Sequence, residues 1–163
     1  MAPGPGAPVI DRADPADRAV LAMDRGGVRE QLAVVLLLRH TRRLDQAQLR
    51  HALAERVATV PRLRQKLVRA PVGGGGPLWV DDGDVDLGRH IREHPCQPPG
   101  DAQALWQTAL EVTAEPLPRG RPMWAIVHVT GLRAPQTSAV VLVLHHAIAD
   151  GVSGLAILQS LLD

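Results

Sequence analysis

The sequence predicts a mixed α/β fold of the α+β kind, and three observations predict it. Short apolar runs rich in branched side chains, "QLAVVLLL" and "SAVVLVL", have the length and composition of strands. Other segments place apolar residues at helical spacing behind capping residues. The two kinds interleave irregularly, which argues for a mixed sheet with flanking helices.

The order of elements follows from local chemistry. Residues 31–38, apolar from Leu32 onward, read as a strand buried on both faces. The period then changes: Leu44, Leu49, Leu53 and Val57 fall on one helical face, Asp45 and Gln48 form a capping box, and Pro61 ends the helix. Residues 62–68, "RLRQKLV", alternate like a half-buried strand. Gly73–Gly76 and Pro77 make a flexible hairpin connection to the strand-like "LWV"; a phosphate-binding loop would need a Gly-Lys-Ser/Thr ending, which is absent. Residues 101–114 read as a helix capped by Asp101 that buries Leu105, Ala109 and Val112. Residues 123–130 and 138–144 are two strands joined by a short link, and "VSGLAILQSLL" after Gly151 is a helix.

Composition bounds the function. At 163 residues the chain is one domain or one half of a larger one, and 45% apolar with 21% charged residues places it among globular rather than disordered chains. The net charge is +1, and the arginines are scattered, so no nucleic-acid partner is expected. Cys96 is the single cysteine, which excludes an internal disulfide and fits a cytoplasmic setting. Its surroundings, "HPCQPPGD", match no nucleophile motif. The longest apolar run is far short of a membrane span, and residues 1–14 read as a flexible leader.

The unusual stretch is "VLVLHHAIADG", where a buried strand runs straight into two histidines. Consecutive strand residues point to opposite faces, so one ring should look inward and the other beyond the strand end. The residues leave three readings open: a metal site using one histidine with Asp150, a pair of satisfied structural groups, or a general base, for which imidazole is suited by its near-neutral pKa.

"HHAIADG" resembles the HHxxxDG motif of the coenzyme-A-dependent acyltransferase superfamily. With "VPRLRQKLV", "PLWVDDGDVDLGRHIRE", "PLPRGRPMWAIVHV" and "VLVLHHAIADGVSG" in this order, residues 15–163 resemble the bacterial wax ester synthase/acyl-CoA:diacylglycerol acyltransferase family. The resemblance implies the N-terminal half of a chloramphenicol-acetyltransferase-like two-layer fold. It also implies transfer of a fatty acyl group from acyl-CoA to diacylglycerol or a long-chain alcohol, without metal or cofactor.

By the same resemblance His146 is the base and His145 its supporting neighbour. Asp150 is structural, through a salt bridge to an arginine, and Gly151 is structural. Pro122, Met123 and Trp124 occupy a Pro-Leu-Trp motif that contributes to substrate binding, with Met in place of Leu. Contact with a membrane or lipid droplet surface is implied as well. A half-domain would expose apolar surface, so the expected partner is a C-terminal half or a second copy. Two other readings remain: a non-catalytic interaction module that keeps the motif, and a condensation-type domain, against which "PLWVDDGDVDL" and "RPMW" count.

Overall fold

In the computed structural model, residues 10–24, 29–42, 44–83 and 85–162 are described. The elements run β1 (Ile10–Arg12), α1 (Pro15–Met23), β2 (Gln31–Arg39), α2 (Gln46–Thr59), α3 (Pro61–Arg64), β3 (Gln65–Val68), β4 (Leu78–Asp81), α4 (Leu87–His90), β5 (Ile91–Pro95), α5 (Ala102–Ala114), β6 (Trp124–Thr130), β7 (Thr137–His145) and α6 (Gly151–Leu162). A four-stranded sheet has the order β2-β7-β6-β5, and a smaller sheet has the order β1-β4-β3. The larger sheet is mixed, because β5 runs parallel to β6 while the other pairs are antiparallel. The α+β reading with flanking helices therefore describes the chain.

Strand β7 organises the core. Its alternate residues Ala139, Val141 and Val143 pack with Leu105, Ala109 and Val112 of α5, whereas Val140, Leu142 and Leu144 pack with Leu49, Leu53 and Val57 of α2 and Ile157 and Leu161 of α6. A period-2 strand buried on both faces produces two half-cores, one on each side of the sheet. This parity sets where the two histidines at the end of the strand point.

Several expectations hold locally. Asp45 and Gln48 close the capping box of α2, and the Asp101 side chain accepts the Ala104 N–H at the start of α5. The glycine loop joins β3 to its antiparallel neighbour β4. Strands β6 and β7 form the expected antiparallel pair.

Others need correction. Strand β2 is not buried on both faces: it is an edge strand among the described residues, and Leu37 is 66% exposed. Residues 62–68 are not one strand, since Pro61, favoured at a first helical position, opens the single turn α3 before β3 begins at Gln65. Of the leader expected over residues 1–14, the first nine lie outside the described residues, and Ile10–Arg12 pair with β4. Helix α1 was not expected. The start of α1 nevertheless carries the usual signature, because Asp14 and Asp17 form a capping box with Pro15 in the first turn.

Candidate active site at the end of strand β7

The strand parity carries through the histidine pair. His145 is 2% exposed and lies on the α5 side of the sheet, while His146 is exposed in the turn that follows. The backbone pins both residues. The His145 N–H donates to the Met123 carbonyl at 3.0 Å, and the His146 N–H donates to the Glu30 carbonyl at 2.7 Å. The turn closes with the Ile148 N–H on the His145 carbonyl at 2.8 Å.

The His145 ring is held at both nitrogens. Nδ1 accepts the Ala147 N–H at 3.1 Å, and Nε2 lies 3.3 Å from Oδ2 of Asp24. A ring that accepts at Nδ1 can donate only at Nε2, so His145 is neutral, in its Nε2–H tautomer. Burial pushes its pKa down, opposed by the Asp24 carboxylate, and this agrees with the geometry. The contact with Asp24 is thus a hydrogen bond to a carboxylate rather than an ion pair.

Asp24 in turn accepts from Nη2 of Arg119 at 2.7 Å and from the Glu30 N–H at 3.3 Å. Its side chain is 8% exposed. Burial works against its charge, but the hydrogen bonds from Arg119, His145 and Glu30 outweigh it and hold the pKa at about 2. Neither Asp24 nor Arg119 was a sequence candidate. Asp24 sits at the C-terminus of α1, 95 residues from Arg119 and 121 from His145, and no periodicity links such positions.

His146 faces an open cleft of roughly 770 Å³. Helix α1 contributes Asp14, Asp17 and Val20, the junction of α2 and α3 contributes Thr59 to Arg62, and α6 contributes Ser153, Ile157 and Ser160. The turn residues Ala147 to Asp150 complete the lining. The floor is fixed elsewhere: Trp79 donates from Nε1 to Asp17 at 2.8 Å, and the Arg62 guanidinium stacks 4.7 Å above the Trp79 ring.

The Asp150 side chain meets backbone N–H groups rather than an arginine. Its Oδ1 accepts the Ser153 N–H at 2.8 Å, and its carbonyl accepts the Gly154 N–H at 2.8 Å, so it caps the start of α6. These hydrogen bonds to Ser153 lower its pKa. Among the described residues it has no arginine partner; the arginine–aspartate pair beside the motif is the half-exposed Arg119 with Asp24. Gly151 is the first residue of α6.

Pro122, Met123 and Trp124 do not line the cleft. All three are buried; the Trp124 indole N–H donates to the Leu63 carbonyl at 2.8 Å, and its ring stacks on His90 with centroids 4.2 Å apart. The segment acts on the site through the Met123 carbonyl, which holds the His145 backbone. Cys96 is buried against α5 with the Thr108 hydroxyl 3.8 Å from its sulfur. Among the described residues no three His, Cys, Asp or Glu side chains come together as a metal site, and no helix is long and apolar enough to cross a membrane.

Solved structures share this mixed α/β fold. The wax ester synthase/diacylglycerol acyltransferase from Marinobacter aquaeolei VT8 has this fold, with a TM-score of 0.70 at 23% identity over 90% of this chain and 35% of that one. The starter condensation domain of rhizomide synthetase shares it, with a TM-score of 0.70 at 15% identity over 94% of this chain and 36% of that one.

Residues 14–163 match the family model of the wax ester synthase/diacylglycerol acyltransferase catalytic domain, and the chain belongs to that family. Its relatives include a putative diacylglycerol O-acyltransferase of Mycobacterium bovis, 37% identical over 119 residues, which are 73% of this chain and 26% of the relative. Another is a probable diacylglycerol O-acyltransferase of Mycobacterium tuberculosis (Tgs3), 29% identical over 91% of this chain and 55% of its own length. The chain thus spans about a quarter of the length of the first of these.

Proposed function

We propose that the chain carries the acceptor-activating half-site of an acyl-CoA-dependent O-acyltransferase, with His146 as the general base. The observation that carries this reading is the division of labour within the pair: His145 is buried with both ring nitrogens engaged, while His146 stands exposed at the cleft. Family membership supports the reaction class, and the names of the relatives support diacylglycerol as acceptor, with a long-chain alcohol as the alternative. Acyl-CoA as donor is supported by a complex of the rhizomide starter condensation domain with C8-CoA, a protein of the same fold at a TM-score of 0.71.

In this reading the acceptor hydroxyl lies in the cleft and gives its proton to the His146 imidazole as its oxygen forms a C–O bond with the thioester carbonyl carbon. The tetrahedral intermediate collapses with cleavage of the C–S bond, and the imidazolium returns the proton to the leaving CoA thiolate. The products are an ester and CoA, with no covalent enzyme intermediate. His145 keeps the turn in place, and Asp150 fixes the helix that forms one wall.

The test is acyl transfer from palmitoyl-CoA to dioleoylglycerol, measured with the chain in its longest natural reading frame. His146→Ala should lower kcat by about 10²–10⁴-fold and leave the affinity for acyl-CoA unchanged, since a general base acts in the transition state. Near-normal turnover would overturn the assignment and favour a non-catalytic interaction module.

A further inference from the structure

We infer that Asp24 and Arg119 are positioning residues for His146, acting by selecting the tautomer of His145. This rests on the reading of His146 as the base. The argument begins with the ring of His145, which has one lone pair and one N–H to distribute. The Ala147 N–H needs the lone pair at Nδ1, and a protonated Nδ1 would face that N–H donor to donor. The Asp24 carboxylate prevents this by engaging the proton at Nε2. The tautomer is therefore chosen on one side of the ring and used on the other.

What it holds is the backbone immediately after His146. The Ala147 N–H belongs to the turn that aims the His146 side chain at the cleft, and without the bond to Nδ1 that buried donor would be orphaned. Asp24 is itself fixed at three points, by Arg119, by the Glu30 N–H and by its place at the end of α1. Glu30 also accepts the His146 N–H through its carbonyl. One carboxylate thus joins α1, the loop after α5 and the end of β7. The charged groups around His145 are Asp24, Arg119 and Glu30.

The experiment reads the tautomer and the rate separately. In the ¹⁵N spectrum of histidine-labelled protein, in the longest natural reading frame, His145 should show the neutral Nε2–H pattern. Asp24→Leu keeps the side chain's size but cannot accept the proton. It should lose that pattern, speed hydrogen exchange at the Ala147 amide, and lower kcat by about 10-fold to 10²-fold with the KM for acyl-CoA unchanged. Asp24→Asn, whose amide oxygen can still accept from Nε2–H, should restore the tautomer and most of kcat; a thermal melt checks that both variants fold.

A charged or Nδ1–H His145 in the unsubstituted protein would overturn the proposal. So would an Asp24→Leu variant with the tautomer lost and kcat intact, or with the tautomer kept. If instead the tautomer shifts as expected while His146→Ala leaves turnover unchanged, the failure lies in the assignment of the base and not in the network around His145.

Discussion

Two neighbouring histidines with the same chemistry become different groups because a strand alternates its faces. His145 inherits the α5 side and is desolvated; His146 leaves the strand and meets water. The desolvation has a signed consequence for stability. Burial lowers the pKa of His145, and also of His90, below the ordinary 6.5. The unfolded chain therefore takes up protons first, and stability should be full above pH 6.5 and fall as the pH drops below it. Asp24 adds a second step: with its pKa held at about 2 against 3.8 unfolded, its contribution is present above pH 3.8 and lost as the pH falls toward 2. Melting temperatures recorded from pH 8 to pH 2 should show both declines, and Asp24→Asn should remove the lower one.

Asp150 belongs to the same scale, and its geometry changes the expected effect of losing it. As an exposed helix cap rather than half of a buried ion pair, Asp150→Ala should lower stability by no more than the loss of an ordinary surface cap, read from a denaturant melt. A loss several times larger would mean that the carboxylate has a buried charge partner. The resemblance implied a structural aspartate paired with an arginine, and not the backbone N–H of Ser153 that it meets. Whether a carboxylate binds an arginine or a backbone N–H depends on which groups the fold brings within about 3 Å, and residue type does not encode that.

At the scale of elements, the legible parts were those whose signal is local. The capping box of α2, the Asp101 cap of α5, the glycine hairpin and the β6–β7 pair depend on residues a few positions apart, and each is found where the spacing placed it. Helix α1 carried an equally local signal at Asp14, Pro15 and Asp17, overshadowed by the Pro- and Gly-rich residues before it. Strand β5 was harder. Its "IREHP" pairs in parallel with β6, and a five-residue strand bounded by a helical turn has too short a period to stand out.

The segment Pro122 to Trp124 illustrates how an element serves a site without touching it. Trp124 starts β6 and ties it to α3 through the Leu63 carbonyl, while the preceding residue anchors His145. Trp124→Phe keeps most of the packing but leaves that carbonyl without its donor, which should destabilise the protein by about 1–3 kcal/mol in a denaturant melt. Because the indole is buried away from the cleft, the KM for acyl-CoA should not change.

For the whole molecule, stability should be graded outward from β7. Every residue of β7 from Ser138 to His145 is buried, whereas all three residues of β1 are exposed. Amide hydrogen exchange should therefore be slowest in β7 and β6 and fastest in β1, since local opening follows burial and pairing. Uniform protection across both sheets would contradict this. The exposed Val152 and Leu155 lie three residues apart on α6, and Trp106 and Leu110 four apart on α5, so apolar side chains do reach the surface on both sides of the sheet.

The sequence by itself determined the fold class, strands β2, β6 and β7 of the central sheet, the capped helices α2 and α5, and the motif that places the chain in its family. It also determined that the two histidines must diverge, because alternation along a strand is a property of the backbone. Only the tertiary structure decided which ring is buried, that Asp24 and Arg119 hold it, and that Trp124 serves the core. Those assignments rest on contacts between residues as far as 121 positions apart. Chain folding creates them, and neither periodicity nor spacing records them.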